Sequence, residues 1–303
     1  MFWPCLPGFI VLGPRFCSDK QSRLHRGSRT AIRRKIGLYQ LNYCVGQRVE
    51  MQVSVYRRAR NNVRHFLEGR VACYKAVLPF VDGKAGLEIG GPSAVFERWL
   101  TPLPIYERVG SLDNCDLSRN TAWASHADAY TFSRNKAPGK NIFRDASDLS
   151  SIANHSYDFV LSSHNLEHFA NPVKALLEWK RVTRPGGALV LVLPNYAKTF
   201  DHRRTPTTVE HMFQDLERGT PEDDLTHLPE ILDKHDVSRD AGVGSAEEFR
   251  SRALDNFNNR CLHHHVFDQT NGRELLTRCG MEVLAVELAI PCHIFLLARI
   301  PWS

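Results

Sequence analysis

The sequence has no apolar run long enough to form a membrane-spanning helix, which needs about 20 apolar residues. Its longest apolar stretches are 186–194 and 283–297, and the second contains Glu287 and His293. The eight cysteines include no CxxC pair, which excludes zinc-ribbon and thioredoxin-type proteins. With no secretion signal in the usual order, we expect reduced, scattered thiols and a cytoplasmic location.

Phosphate-binding motifs are also missing, since neither GxxxxGK[ST] nor GxGxxG occurs.

An excess of positive charge is missing from most of the chain as well. Residues 1–64 hold 13 of the 39 basic residues and only two acids, a net charge of +11, whereas residues 65–303 carry −5. A nucleic-acid-binding protein usually has its positive charge on a folded surface. The distribution therefore argues against a nucleic-acid partner, and no membrane partner is indicated.

The composition that is present is that of a folded protein. Hydrophobic residues make up 43% and charged residues 24% of 303 residues, which allows one large domain or two small ones. We expect a basic, disordered N-terminal extension at 1–50 and a folded domain at 51–303. The extension has two alternatives: a targeting segment, or a leader that precedes a true start at Met51. The oligomeric state is not indicated.

Strand-like and helix-like stretches alternate from Met51 onward, which is typical of an α/β fold with a mostly parallel sheet. Helices are predicted at 54–78, 94–100 and 171–184. Strands are predicted at 85–89, 106–112, 141–144, 157–161, 188–193, 281–288 and 293–300. The last two are joined by a short turn at Pro291, which suits an antiparallel pair at a sheet edge. Residues 195–262 are polar and acidic, and we interpret them as a partly helical insertion.

Ligands of an open parallel sheet bind outside the carboxyl ends of its strands. The predicted strands end at Glu88, Gly90, Gly91, Asp113, Asp145, Ser162, Ser163 and His164. Glycines let a ligand approach the backbone, and the acids can accept hydrogen bonds from hydroxyl and amine groups. These ends therefore suit a nucleoside-containing ligand without phosphates, preferably one with a positive charge.

Four segments resemble the class I S-adenosylmethionine-dependent methyltransferases, and within them the methyltransferase type 11 family. They are LEIGGPS (87–93), DASDLS (145–150), YDFVLSSHNLEHFANP (157–172) and RVTRPGGALVLVLPN (181–195). The glycine motif departs from the usual acidic-x-Gly-x-Gly-x-Gly, since Pro92 and Ser93 follow paired glycines. The resemblance implies a Rossmann-like, doubly wound, mostly parallel seven-stranded sheet with an antiparallel edge strand.

The same resemblance implies which residues bind the cofactor, S-adenosylmethionine. They are Glu88, Gly90, Gly91, Asp113, Asp145, Ala146, Ser162 and Ser163. Glu88 would lie near the amino group of the methionine part, and Asp145 and Ala146 would meet the adenine edge. Asp113 would bond the ribose hydroxyls, with Asp116 as the alternative if the second strand ends later. The two serines would line the floor beside the transferable methyl group.

The implied activity is transfer of the methyl group to a small-molecule or glycan-like acceptor, and we expect transfer to oxygen, where a general base helps. Histidine is the usual base near neutral pH, and the candidates are His164, His168 and His202. Residues 200–205 follow the fifth strand, where an anionic or sugar-like substrate could bind; a solvated loop with local salt bridges is the alternative.

Two other functions stay open at this point: a nicotinamide-dependent oxidoreductase on a related sheet, and a non-catalytic module that uses the fold for binding. The missing GxGxxG motif counts against the first. No metal site is expected from His263, His264 and His265, because adjacent side chains on a helix or strand cannot all face one ion.

Overall fold

The structure is a computed structural model that describes residues 71–97, 101–120 and 125–302. Its helices are α1 (Cys73–Val81), α2 (Ala94–Glu97), α3 (Pro172–Val182), α4 (Val209–Arg218), α5 (Leu228–Lys234), α6 (Ala246–Leu254), α7 (Asn256–Asn259) and α8 (Gln269–Arg278). Its strands are β1 (Ala85–Ile89), β2 (Ser111–Asp116), β3 (Ala129–Tyr130), β4 (Gly139–Phe143), β5 (Tyr157–Ser163), β6 (Thr183–Pro194), β7 (Glu282–Ala289) and β8 (His293–Arg299). The predicted extension at 1–50 and positions 54–70 of the first predicted helix lie outside the described residues.

Within the described residues, eight strands form one sheet in the order β3-β4-β2-β1-β5-β6-β8-β7. The five strands from β4 to β6 pair in parallel, and β8 runs antiparallel to both β6 and β7. This confirms the predicted mostly parallel, doubly wound sheet with an antiparallel edge. The predicted count of seven strands is one short, because the two-residue β3 pairs antiparallel with β4 at the opposite edge.

Both faces of the sheet are buried. Side chains alternate along a strand, so β5 directs Val160 to one apolar core and Phe159 and Leu161 to the other. A parallel sheet covered on both faces has strands that are apolar at nearly every position. This is why the central strands were recognisable in the sequence.

The second predicted strand is placed wrongly, since 106–112 was expected and β2 spans Ser111–Asp116. Tyr106 and Val109 are apolar and fully buried, but they precede the strand. The strand itself contains Asn114, a fully buried polar residue whose Oδ1 accepts a hydrogen bond from the Gly91 amide at 2.8 Å. A polar residue at a buried strand position hides the strand from a hydrophobicity pattern, and β2 ends three residues later than Asp113.

Helix α3 fixes the loop that follows β4. Asn171 caps its N-terminus by accepting from the Lys174 amide, and Pro172 occupies the first turn, which is the arrangement that starts helices best. The Trp179 side chain is fully buried, and its indole N–H donates to the carbonyl oxygen of Ala146 at 3.0 Å. The helix thereby holds the DASDLS segment against the end of the sheet.

We call residues 195–268, between β6 and α8, the cap. It contains α4 to α7, and its own apolar core is small, with four buried residues: Ile231, Phe249, Ala253 and Leu262. The predicted insertion at 195–262 falls within the cap, and its status as a separate insertion stays a prediction. No helix in the described part of the chain has the length and apolar character needed to cross a membrane.

Candidate active site

A crevice of about 410 Å³, part of it open to solvent, lies at the carboxyl ends of β1, β2 and β4. Its lining residues are Ile89, Gly90, Cys115, Asp116, Leu117, Asp145, Ala146, Asn165, His168, Phe169 and Arg260. Four predicted site residues, Gly90, Asp145, Ala146 and His168, are therefore brought together here. The crevice is where an open parallel sheet binds its ligands.

The acid at the end of β2 is Asp116. Its carboxylate is 92% buried, accepts from the Leu117 amide at 2.8 Å and lies 3.2 Å from Nε2 of His126. Burial raises its pKa, which the neighbouring His126 opposes. Asp113 lies inside the strand, where its carboxylate accepts from the Lys140 amide and the Tyr157 hydroxyl. The expectation that the strand ends at Asp113 is wrong, and the alternative acid, Asp116, is the one that lines the crevice.

Glu88 supports the glycine loop from beneath and does not line the crevice. Its fully buried carboxylate accepts from the Ser93 hydroxyl at 2.7 Å, the Tyr106 hydroxyl at 2.8 Å and the Tyr130 hydroxyl at 2.5 Å. Burial raises its pKa against these hydrogen bonds. A Cβ on Gly91 would meet the Tyr130 hydroxyl oxygen at 2.2 Å, so close packing requires glycine there, and its predicted cofactor contact stays a prediction.

Three predicted residues at the end of β5, Ser162, Ser163 and His164, are not among the residues that line the crevice. Ser162 and Ser163 are buried, and the Ser162 hydroxyl oxygen has no hydrogen-bond partner among the described residues. His164 has a φ of 51°, and its Nε2 lies 2.8 Å from Nδ1 of His293 on β8. Burial lowers the pKa of His164 well below its usual value. The structure thus places His164 against the antiparallel edge of the sheet.

His168 is the predicted base that reaches the crevice. Its Nδ1 lies 2.9 Å from the carbonyl oxygen of Leu262. A carbonyl can only accept a hydrogen bond, so Nδ1 carries the proton and Nε2 is left with its lone pair. Burial lowers the pKa of His168 well below its usual value, which keeps the ring neutral at physiological pH.

Behind His168 lies a buried group of ionisable residues that the sequence did not reveal. Oε1 of Glu167 is 3.9 Å from Nε2 of His168 and 3.9 Å from Nε2 of His263. Burial raises the pKa of Glu167 to about 7. Nδ1 of His263 lies 2.6 Å from a carboxylate oxygen of Asp201, an acid–histidine pair whose members are 62 positions apart. Nothing in the sequence indicates a pairing over that distance.

The predicted substrate segment at 200–205 is mainly structural. The Arg204 guanidinium is buried and donates to the carbonyl oxygens of His263 at 2.7 Å and His264 at 3.1 Å. His202 pairs with Asp236 at 2.9 Å and does not line the crevice. Arg204 therefore positions the histidine run, and the alternative of local salt bridges describes this segment better than a substrate site.

Arg260 is the crevice residue that the sequence analysis missed entirely. It comes from the cap, and its guanidinium donates to Glu222 at 2.6 Å and to Asp145 at 3.2 Å. Its backbone has a φ of 50°, a conformation uncommon for residues other than glycine. The cap thus contributes a charged wall to a crevice that is otherwise built by the sheet.

The donor set of the crevice fits a cationic nucleoside. Gly90 brings no side chain to the wall, Asp116 and Asp145 bring carboxylates, and the cationic Arg260 is paired with Glu222 and Asp145. No phosphate-binding motif accompanies them. The crevice therefore has the position and the donor set for a nucleoside-containing ligand on a mostly parallel α/β sheet.

Residues 87–191 match the family model described as "Methyltransferase domain", a segment that runs from β1 into β6 and includes the ends of all the crevice-forming strands. The matched segment is a methyltransferase domain, and S-adenosylmethionine is its cofactor. The match supports this interpretation over the nicotinamide-dependent oxidoreductase and the non-catalytic module. The whole of the cap lies outside the matched residues.

No curated protein matches the chain. Among solved structures, it is similar to an S-adenosylmethionine-dependent methyltransferase from Mesorhizobium loti, with 17% identity, a TM-score of 0.42 and coverage of 75% of this chain and 95% of that chain. It is also similar to an S-adenosylmethionine-dependent methyltransferase from Methanosarcina mazei, with 14% identity, a TM-score of 0.39 and coverage of 75% of this chain and 98% of that chain. A third similar structure is an S-adenosylmethionine-dependent methyltransferase from Aquifex aeolicus, with 13% identity, a TM-score of 0.35 and coverage of 75% of this chain and 89% of that chain.

Proposed function

We propose that this methyltransferase acts on a hydroxyl group of a small-molecule or glycan-like acceptor, with His168 as the general base. The observation that carries the proposal is the tautomer of His168, a residue that lines the crevice and whose Nε2 keeps its lone pair. A neutral imidazole beside the reacting atoms is the usual acceptor for a hydroxyl proton.

The reaction needs alignment and one proton acceptor. The cofactor supplies a methyl group that its sulfonium already activates. With the cofactor bound, its methyl group would pass to the acceptor oxygen, the electron pair of the carbon–sulfur bond would stay on sulfur, and Nε2 of His168 would take the hydroxyl proton. Holding the two reactants in line can supply several kcal/mol of the barrier reduction. Asn165 and Phe169 lie on the same wall and would contact the acceptor.

The cap is proposed to act as an insertion that selects the acceptor, with residues 1–50 as a separate basic extension. Support comes from the cap residues that approach the crevice: Arg260 lines it, and Leu262 holds His168 through its carbonyl oxygen. One fold can serve many different acceptors when the cofactor-binding strand ends stay the same. We therefore expect residues outside these strand ends to select the acceptor.

The proposal is tested by incubating the full chain with methyl-labelled S-adenosylmethionine and a panel of phenols, polyols and monosaccharides. We expect label in an O-methyl product. His168→Gln should lower kcat at least about 100-fold, in line with loss of a general base, while binding of S-adenosylhomocysteine stays within about threefold. His202→Gln is the matched control and should keep kcat. Label transferred only to nitrogen or carbon acceptors, or an unchanged kcat in His168→Gln, would contradict the proposal.

A further inference from the structure

A second cluster of ionisable side chains lies in the cap and has no part in the proposed reaction. His211 and Asp215 are four residues apart on α4, which places them on one face of the helix. His227 immediately precedes α5, and His265 lies in the segment before α8. Each offers one ligand atom, and all four atoms lie within 4.8 Å of one another. Three separate stretches of the cap thus converge on one point.

Three distances in this cluster lie near those of a tetrahedral cation site, and the remaining pairs of ligand atoms lie within 4.8 Å. Nε2 of His211 is 3.1 Å from Nε2 of His227 and 3.5 Å from Oδ2 of Asp215. Nε2 of His265 is 3.7 Å from the same carboxylate oxygen. Zinc binds imidazole nitrogen and carboxylate oxygen at about 2.0–2.2 Å, so neighbouring ligand atoms of a tetrahedral site are roughly 3.3–3.5 Å apart.

The hydrogen bonds of the protein leave this cluster incomplete. Asp215 is 95% buried, and its Oδ2 has no hydrogen-bond partner among the described residues. Its other oxygen, Oδ1, accepts from the Thr220 hydroxyl at 3.1 Å, which aims Oδ2 at the histidines. Nε2 of His211 faces both another Nε2 and this oxygen. One proton can satisfy only one of those contacts, whereas one cation satisfies them all.

We propose that His211, Asp215, His227 and His265 form a zinc site that stabilises the cap. Three imidazoles and one carboxylate are a donor set that zinc accepts, and four protein ligands leave no open position, which is the mark of a structural rather than a catalytic site. His211 is partly exposed, with 32% of its side-chain surface accessible, so an ion can enter from solvent.

The site joins the cap to the wall of the crevice. Nε2 of His265 donates to the carbonyl oxygen of Ala170 at 3.2 Å, next to the crevice residue Phe169, and it must give up this hydrogen bond and its proton to bind zinc. Zinc would tie α4, the segment before α5 and the segment before α8 together at this point. Such a tie would add stability where the separate apolar cluster of the cap is small, with four buried residues.

The three adjacent histidines at 263–265 do not face one metal ion. The rings of His263, His264 and His265 point to three different surroundings: Asp201, Asn256 and the zinc ligands. Among the described residues, the other groups with ligand spacing are His164–Cys292–His293 and Glu167–His168–His263. Each offers three ligand atoms rather than four.

The first test is metal binding by the full chain. We expect the chain, stripped with a chelator and titrated with zinc chloride alone, to bind one zinc per chain and to raise its midpoint of thermal unfolding by about 5 °C or more at saturating zinc. X-ray absorption of the zinc-loaded chain should show three imidazole nitrogens and one oxygen at about 2.0–2.1 Å. Less than half an equivalent of zinc, or sulfur in the coordination shell, would overturn the proposal.

The second test uses matched variants. His211→Gln and His227→Gln should each weaken zinc binding by more than about 100-fold, and Thr220→Val, which frees the ligand carboxylate, by about tenfold. His202→Gln, another partly exposed histidine of the cap, should bind zinc as the unaltered chain does. Zinc binding by His227→Gln within threefold of the unaltered chain would overturn the site. The coordination shell of the unaltered chain keeps the proposal testable if a variant fails to fold.

Discussion

The sheet and the cap of this methyltransferase are stabilised in different ways. The sheet buries apolar side chains on both faces, and its two cores extend from one edge to the other. The cap has four buried apolar residues in its own core but seven of the 14 histidines of the chain. Its buried groups are held in charged pairs such as Asp201–His263 and Asp240–Arg252. The comparison shows that one chain can combine a region stabilised mainly by apolar packing with a region stabilised largely by charged pairs.

The largest loss of stability is expected in the apolar core between the sheet and helix α3. Trp179→Ala removes a fully buried indole and its hydrogen bond to the Ala146 carbonyl, so we expect a loss of about 3–5 kcal/mol in the free energy of unfolding. Denaturant unfolding at pH 7 measures it. Leu177→Ala on the same helix is the control, since this side chain is 39% exposed. Equal effects of the two variants would contradict the assignment of the core.

The second-largest loss of stability is expected in the cap, at Asp240. Asp240 accepts from Arg252 at 2.6 Å and from the Gly242 amide at 2.8 Å, and lies 3.1 Å from Nε2 of His235. Burial opposes its ionisation, but these partners outweigh burial and lower its pKa to about 2. Asp240→Asn should therefore cost about 2 kcal/mol at pH 7, with the exposed Asp233→Asn as the control.

The pH dependence of this loss has a defined sign. The pKa of Asp240 is lower in the folded chain, at about 2, than in the unfolded chain, at about 3.9. Its contribution is therefore fully present above pH 4 and is lost as the pH falls through about 2. The difference in unfolding free energy between Asp240→Asn and the unaltered chain should be constant from pH 5 to 7 and shrink below pH 4. A difference that grows on acidification would contradict the assignment.

A smaller effect is expected at the crevice. Asp116→Ala should weaken binding of S-adenosylhomocysteine by about 10- to 100-fold, because hydrogen bonds to a charged group contribute about 1.5–3 kcal/mol. Asp113→Ala removes an acid from the same strand that does not line the crevice, and its dissociation constant should change by less than about threefold. Calorimetry on the folded variants gives both values. The reverse order would restore Asp113 as the ribose ligand.

The smallest effect should come from an exposed ion pair on the sheet. Arg299 pairs with Glu282 across β7 and β8, and the two side chains are 38% and 50% exposed. Arg299→Ala should cost less than about 1 kcal/mol, because solvent screens the pair. Denaturant unfolding checks this value against that of Asp240→Asn. A larger cost for Arg299→Ala than for Asp240→Asn would remove the distinction between sheet and cap.

Much of the sheet could be predicted because apolar periodicity is a local signal. Strands β1, β5 and β6 and the β7–β8 pair lie within a few residues of their predicted positions. β2 could not be placed, because its buried Asn114 is satisfied by the amide of Gly91, a residue from another strand end. The two-residue β3 is too short to produce any pattern.

The site residues that could be predicted are those that directly follow the ends of predicted strands. Gly90, Asp145, Ala146 and His168 line the crevice as their positions imply, and Glu88 instead supports the loop beneath it. Arg260 and the Asp201–His263 pair could not be predicted, since each contact joins residues more than 60 positions apart. Long-range pairs of ionisable side chains leave no periodic signal in the sequence.

The most direct test of the central claim is calorimetric titration of the full chain with S-adenosylmethionine and S-adenosylhomocysteine. We expect one site per chain with a dissociation constant below about 100 µM, which corresponds to about −5.5 kcal/mol, and competition between the two ligands. The absence of binding heat for both ligands at millimolar concentration, with the chain folded, would contradict a cofactor crevice at the ends of β1, β2 and β4.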